Sequence, residues 1–312
     1  MTALWIVLLT GAFAGWAVLD GANQGLGATL RRIGATPAER RTVLTALGPF
    51  LLSGEVWLIA GVGVLLAGFA TFEAELWFVA YPLVIALLVA WVLRDAGVWL
   101  RSRSPSVGWR SFWERVVIGA SLALPAAAGA LLGAALSWLP GLPLASRELV
   151  PALAALTAVA TTRVLGTMFV ATRTTGVLRE RALAGAERAL PRAAALLAVC
   201  AVGYGLLVPA DQVARAVVPP LLLVGAAGSL LVARRLLAVG RVSSARLAVV
   251  VAGALPVVAA AVGLGPALAA SAGSASGLGV ALAACVPVLL ATQWWVWSTF
   301  RHPVGPRDAV FF

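Results

Sequence analysis

Two carboxylates and one guanidinium are embedded in otherwise apolar sequence, and they are the residues best placed to do chemistry. Asp20 closes a hydrophobic run in Leu19-Asp20-Gly21-Ala22-Asn23-Gln24-Gly25-Leu26-Gly27, where three glycines permit tight turning and close backbone approach. Glu55 lies about three turns into a second run, within Gly48-Pro49-Phe50-Leu51-Leu52-Ser53-Gly54-Glu55-Val56-Trp57. Pro49 and Gly54 weaken a helix there and free backbone groups for water or a bound group. Arg163 stands near the middle of a fifth run, in Thr161-Thr162-Arg163-Val164. A charge at the bilayer centre costs about 2.5–3.5 kcal/mol on insertion scales, so such residues face a bundle interior, a cavity or a partner. Asp20 is then either a carboxylate at a polar membrane entrance or an interfacial residue that ends a span. Glu55 can carry protons or bind an ion, or sit protonated in an interhelical hydrogen bond. Arg163 needs an acid, backbone carbonyls or an interface, and Glu55 is one candidate partner.

Other chemistry has little to build on. Cys200 and Cys285 lie inside apolar runs without CxxC spacing and read as small packing residues. The one histidine, His302, follows the last apolar run, and the one internal methionine is Met168. Haem and metal sites commonly take several His, Cys or Met ligands, so none is expected on this chain's own ligands. No Walker loop, HExxH, GxSxG or strand–Gly–helix nucleotide unit is present, and Gly25/Gly27 and Gly61/Gly63 read as packing glycines.

The elements that hold these residues follow from composition. The 312 residues are 62% hydrophobic and 11% charged, with mean hydropathy +1.00. Soluble domains carry about a quarter charged residues, so a soluble enzyme or a disordered chain is excluded. All 23 cations are arginine, and the net charge is +11. Their position between apolar runs points to a membrane rather than to nucleic acid. A span needs roughly 20 apolar residues. Nine runs meet this, at 2–19, 44–69, 75–93, 116–138, 150–172, 193–209, 216–233, 247–265 and 278–300, with Ser271–Gly277 read as a loop. The first run has no basic residues before it and is expected to stay as a helix rather than act as a cleaved signal.

The arginines test that count. They concentrate in 20–43, 94–115, 173–192, 234–246 and the tail, which is every second connection. The opposite connections hold Arg147 and Arg215 beside Glu73, Glu75, Glu148 and Asp211. Positive-inside then places the N-terminus outside and the C-terminus in the cytoplasm. The predicted fold is an all-α integral membrane protein of nine transmembrane helices in one polytopic domain, 1–312. Similar spacing of helices suggests two four-helix halves, 1–140 and 150–265, with a peripheral ninth helix at 278–300. Pro37-Ala38-Glu39-Arg40-Arg41 and Gly185-Ala186-Glu187-Arg188-Ala189 hint at a parallel repeat. Arg94-Asp95 and Arg101-Ser102-Arg103 flank the third helix, where an anionic-lipid or topological role is the simpler reading. Trp294, Trp295 and Trp297, like Trp109 and Trp113, fit an interfacial aromatic belt.

Taken together, Asp20-Gly21 with Gly25 and Gly27, then Thr36 to Arg41, Gly48-Pro49-Phe50 and Glu55-Val56-Trp57-Leu58-Ile59, resemble the start of subunit II of cytochrome bd-type quinol oxidases. Leu93-Arg94 with Arg101-Ser102-Arg103 is similar to the end of that family's third helix. Trp109-Arg110, Trp113, Gly119, Pro125, Gly129 and Gly133 are similar to its fourth. Arg173-Thr174, Gly176 and Arg179-Glu180-Arg181 resemble its mid-chain basic loop, and Trp294 to Arg301 its ending. The resemblance is strong over about 1–135 and patchier beyond.

The resemblance implies a haem-free companion of a subunit I that carries haem b, haem d and the quinol site, in a complex that oxidises quinol and reduces oxygen to water. It implies a heterodimer in lipid in the bacterial plasma membrane, with room for a small accessory subunit and no nucleic-acid partner. This chain would then be a non-catalytic subunit that stabilises the complex and lines a proton or oxygen path. Two family acids are absent. Asn23 stands where a second acid usually follows Asp20, and Leu51-Leu52-Ser53-Gly54 replaces the usual Trp-Asp-Gly-Asn. A proton route would need Asp20, Glu55, Ser53 and water, while Trp57, Arg94, Arg163 and Arg173 are structural or interface candidates. Two further readings are a secondary transporter with Asp20, Glu55 and Arg163 in a midplane site, and a purely structural membrane scaffold.

Overall fold

The computed structural model describes residues 2–137, 143–144, 146–209, 212–273 and 276–305. Asp211 and Arg307, named above, lie outside them. Among the described residues the chain forms nine α-helices: α1 (Thr2–Ile33), α2 (Pro37–Gly68), α3 (Ala70–Leu100), α4 (Val107–Ser137), α5 (Ser146–Arg173), α6 (Gly176–Leu207), α7 (Val213–Ala238), α8 (Val242–Ser271) and α9 (Ser276–Thr299). All nine are long and apolar enough to cross a membrane. The protein is an all-α integral membrane protein.

The helices outrun the apolar segments. α1 has 32 residues, a rise of about 48 Å against a hydrocarbon core of about 30 Å. The basic segments expected as long loops are therefore mostly helix ends, and the connections shrink to 34–36, 101–106, 174–175 and 239–241. Local chemistry sets these ends. Arg31 and Arg32 occupy the last turn of α1, where cations favour the helix dipole. Thr36 and Glu39 then form a capping box, with Pro37 at the first position of α2. Hydropathy marks where the bilayer stops, but backbone hydrogen bonding continues past it. Asp20 accordingly does not end the first helix. It lies inside it, and α1 runs on to Ile33.

Residues 20–30 continue as helix, and the small residues among them let neighbours approach. A Cβ on Gly25 would lie 1.7 Å from the Thr162 carbonyl oxygen, and one on Gly166 would lie 2.0 Å from the Gly25 carbonyl carbon. So α1 and α5 run backbone against backbone at the centre, and both α4 and α8 pack on each of them. Gly25 and Gly27 are the packing glycines expected from sequence, and the close backbone approach they allow is used without a tight turn, since α1 runs on unbroken. A core of Leu26, Leu30, Leu44, Leu47, Val164 and Met168 fills this centre. α3 turns away from α2 after Phe69 and packs chiefly on α4, with a kink at Ala80 ahead of Pro82. α9 lies at the rim, chiefly against α2.

Candidate functional site

The contact between α1 and α2 positions the carboxylates. A Cβ on Gly54 would lie 2.9 Å from the Asp20 Cα, so the next residue, Glu55, arrives beside Asp20. α3 supplies the cation that joins them. Arg94 Nη1 donates to Asp20 Oδ1 at 2.7 Å and to Oδ2 at 2.9 Å. Its Nη2 donates to Glu55 Oε1, and its Nε donates to Asp95 Oδ1 at 2.9 Å. Arg94 is 1% exposed and among the largest fully buried side chains. The lipid or topological role expected for Arg94 is therefore corrected. α3 continues as helix to Leu100, which turns Arg94 into the bundle toward two acids.

Asp20 is also held by its own helix. Trp16 Nε1 donates to Oδ2 at 3.1 Å, Gln24 Nε2 to Oδ2 at 2.8 Å, and Asn23 Nδ2 to Oδ1 at 3.3 Å. Asn23 Nδ2 also donates to the Phe50 carbonyl at 2.9 Å, crossing to α2. Ser53 Oγ donates to that same carbonyl at 3.1 Å, so Ser53 reaches the cluster only through the Phe50 backbone. Leu52 is 63% exposed and points away. The two positions where family acids are missing are thus unlike. Asn23 sits in the ionic cluster, and Leu52 faces outward.

The remaining predicted residues separate. Arg163 does not meet Glu55, which Arg94 occupies; its charged neighbours are Arg32 and Arg192. Trp57 packs on Gly15 of α1, and its Nε1 donates to Gln293 Oε1 of α9 at 3.3 Å. Arg173, 4% exposed, donates from Nη1 to the Phe300 carbonyl beyond α9. Its guanidinium lies 4.5 Å from the Phe50 ring centroid and 4.7 Å from that of Trp297. Trp297 thus turns inward from the expected belt, while Trp294 and Trp295 stay exposed.

A second ionic cluster forms around Glu114, which was not singled out from sequence, and it corrects the lipid or topological role expected for Arg101, which is 3% exposed and paired with that acid. Glu114 of α4, 2% exposed, accepts from Arg40 Nε at 3.0 Å, Arg101 Nη2 at 2.9 Å and Arg31 Nε at 3.1 Å. It ties α1, α2, α4 and the turn after α3 together. Glu114 stands alone as an acid between Arg110 and Arg115 in a basic segment, and that was the available signal.

An apolar cavity of about 690 Å³ opens between the helices, lined in part by Trp16, Leu58, Trp91, Thr161 and Tyr204. Gln24, which donates to Asp20, also lines it. Among the described residues no three of His, Cys, Asp and Glu gather as metal ligands. His302 lies exposed after α9, Met168 is buried alone in the core, and Cys200 bonds Thr157. This donor set does not fit a haem.

A family model described as cytochrome bd terminal oxidase subunit II matches residues 1–300. The chain belongs to that family. It is similar to the cytochrome bd ubiquinol oxidase subunit 2 of Bacillus subtilis (strain 168), 31% identical over 128 residues, 41% of this chain and 38% of the relative. It is similar to the cytochrome bd-I ubiquinol oxidase subunit 2 of Escherichia coli (strain K12), 28% identical over 137 residues, 44% of this chain and 36% of the relative. A probable cytochrome oxidase subunit 2 of Haemophilus influenzae is 30% identical over 111 residues, 36% of this chain and 29% of the relative. The aligned stretches thus span well under half of these curated relatives. Family and spans together make this subunit II chain a multi-pass protein of the bacterial plasma membrane.

Proposed function

We propose that this chain is the haem-free, non-catalytic companion of a haem-binding subunit I in a bd-type quinol oxidase, and that the Asp20–Arg94–Glu55 cluster handles protons within it. The cluster carries the reading. One guanidinium can balance only one of the two buried acids, Asp20 and Glu55, so the cluster has capacity for an exchangeable proton. Orphaned polar atoms extend from it toward the arginine-rich end. Asn23 Oδ1, Ser121 Oγ beside Gly27, and Trp113 Nε1 are buried without protein partners and suit bridging water. A proton entering at that end would pass these groups to Asp20 and Glu55. The apolar cavity beside Gln24 suits oxygen, a small apolar solute. Haem b, haem d and the quinol site belong to subunit I in this reading. The orientation, N-terminus outside and arginine-rich end in the cytoplasm, follows from positive-inside, and the repeated halves are 1–140 and 150–265.

A structural reading is favoured by one observation: Asp20 is saturated by donors from Arg94, Trp16, Gln24 and Asn23. In that case the cluster is a staple among α1, α2 and α3. Affinity purification of the full chain from its native membrane should bring down a His-containing membrane partner with haem absorbance. Recovery of this chain alone, without haem, from active membranes overturns the companion role. In the assembled complex, Glu55→Gln should slow quinol-driven oxygen consumption about 10²-fold, the lower end of what a proton-transfer group supplies. Unchanged turnover in a complex that still assembles leaves the staple.

A further inference from the structure

The arginine-rich end contains a second site that the ionic clusters do not use. Arg173 ends α5, Arg246 lies in the early turns of α8, and Trp297 lies in the last turn of α9. The Arg246 guanidinium lies 4.9 Å from the Trp297 ring centroid, and that of Arg173 lies 4.7 Å from it. One ring thus serves two cations. Among the described residues neither has a carboxylate within ion-pair distance, unlike Arg94 and Arg101.

The side-chain polar atoms of these three residues are all donors. Arg173 Nε is buried with no acceptor, although its residue is 4% exposed. Trp297 Nε1 is likewise buried without an acceptor. Arg246 interacts through its face on the ring. Only Arg173 Nη1 is used, on the Phe300 carbonyl. A buried orphan donor is costly, and two neighbouring cations without an anion add repulsion. The missing complement is a group with several acceptors, no donors and negative charge. An oxyanion has that character, and guanidinium forks match phosphate in particular.

We propose that Arg173, Arg246 and Trp297 form a phosphate-binding site between α5, α8 and α9. Its position favours the phosphodiester of an anionic phospholipid. Exposed Trp294 and Trp295 lie within a turn of Trp297, at the level where aromatic side chains meet headgroups. Basic pockets between membrane helices bind such headgroups. A lipid held there would tie the rim helix α9 to the α5–α8 side of the bundle.

The test uses the full chain, delipidated in detergent, with bound lipid counted by native mass spectrometry. Phosphatidylglycerol, phosphatidylcholine and inorganic phosphate are titrated separately. Phosphatidylglycerol should be retained over phosphatidylcholine, and Arg246→Gln should weaken retention roughly five- to tenfold. Arg234→Gln, an exposed cation at the same end, should leave it unchanged. Arg173→Gln is the second variant, because Arg246→Gln keeps the Phe300 contact intact and Arg173→Gln does not. Stabilisation by inorganic phosphate that Arg246→Gln abolishes, without lipid retention, assigns the same site to a soluble anion. Equal lipid and phosphate binding by wild type and Arg246→Gln, or equal loss in Arg234→Gln, overturns the proposal.

Discussion

Arg94 on α3 grips both carboxylate oxygens of Asp20 on α1, at 2.7 and 2.9 Å, while its other terminal nitrogen holds Glu55 on α2. Three helices thereby meet at one guanidinium that is 1% exposed. Asp20 and Glu55 are 35 positions apart in the chain, and Arg94 is 39 beyond Glu55. Only the crossing at Gly54 and the inward turn of α3 bring them together.

Arg94→Gln should therefore be the most damaging change in the cluster. Removing one partner of a buried ion pair costs about 3–5 kcal/mol, because the acids left behind stay buried. Thermal unfolding in detergent should show a large fall in Tm, with Asp20→Asn intermediate and Glu55→Gln smallest. Equal Tm values for Arg94→Gln and wild type would remove the staple.

Gly25→Ala tests the central contact. The added Cβ meets the Thr162 carbonyl oxygen at 1.7 Å, and backbone cannot swing aside as a flexible side chain can. Overpacking of this kind costs about 1–3 kcal/mol or more. Gly119→Ala has no atom within 4 Å of its new Cβ and should be neutral, or stabilising by up to about 1 kcal/mol. Tm values for the pair separate packing from helix propensity.

Glu114→Gln should cost more than Glu39→Gln. Glu114 is the shared anion of Arg31, Arg40 and Arg101, and Arg101 is buried. Its loss strands that cation, at about 3–5 kcal/mol. Glu39 and Arg181 pair at 2.7 Å on the surface, where such a bridge is worth about 0–1 kcal/mol. Urea or thermal titration of the two variants should preserve that order.

Arg173→Gln should loosen the chain's ending rather than its core. Arg173 holds the Phe300 carbonyl through its side chain, and its own carbonyl accepts from Val304 N at 2.7 Å. Faster hydrogen–deuterium exchange is expected across 296–304, with the α1–α5 contact unchanged. Uniform exchange along the chain would instead report a global loss of stability.

The membrane class, the nine spans and the clustering of arginine on alternate connections were legible along the chain, because transfer of about 20 successive apolar residues into a bilayer is a local property. Asp20 and Glu55 were legible as costly residues for the same reason. What they bind was not. Arg94 looked like a boundary cation because it follows an apolar run, and Glu114 looked like one more charge in a basic stretch. Arg163 drew Glu55 as a candidate partner, yet it lies with Arg32 and Arg192. Which side chains face each other depends on how each helix is rotated and how closely it can approach its neighbour. That is set by contacts such as Gly25 on Thr162 and Gly54 on Asp20, between residues distant in the chain, and a one-dimensional pattern of hydropathy does not encode them.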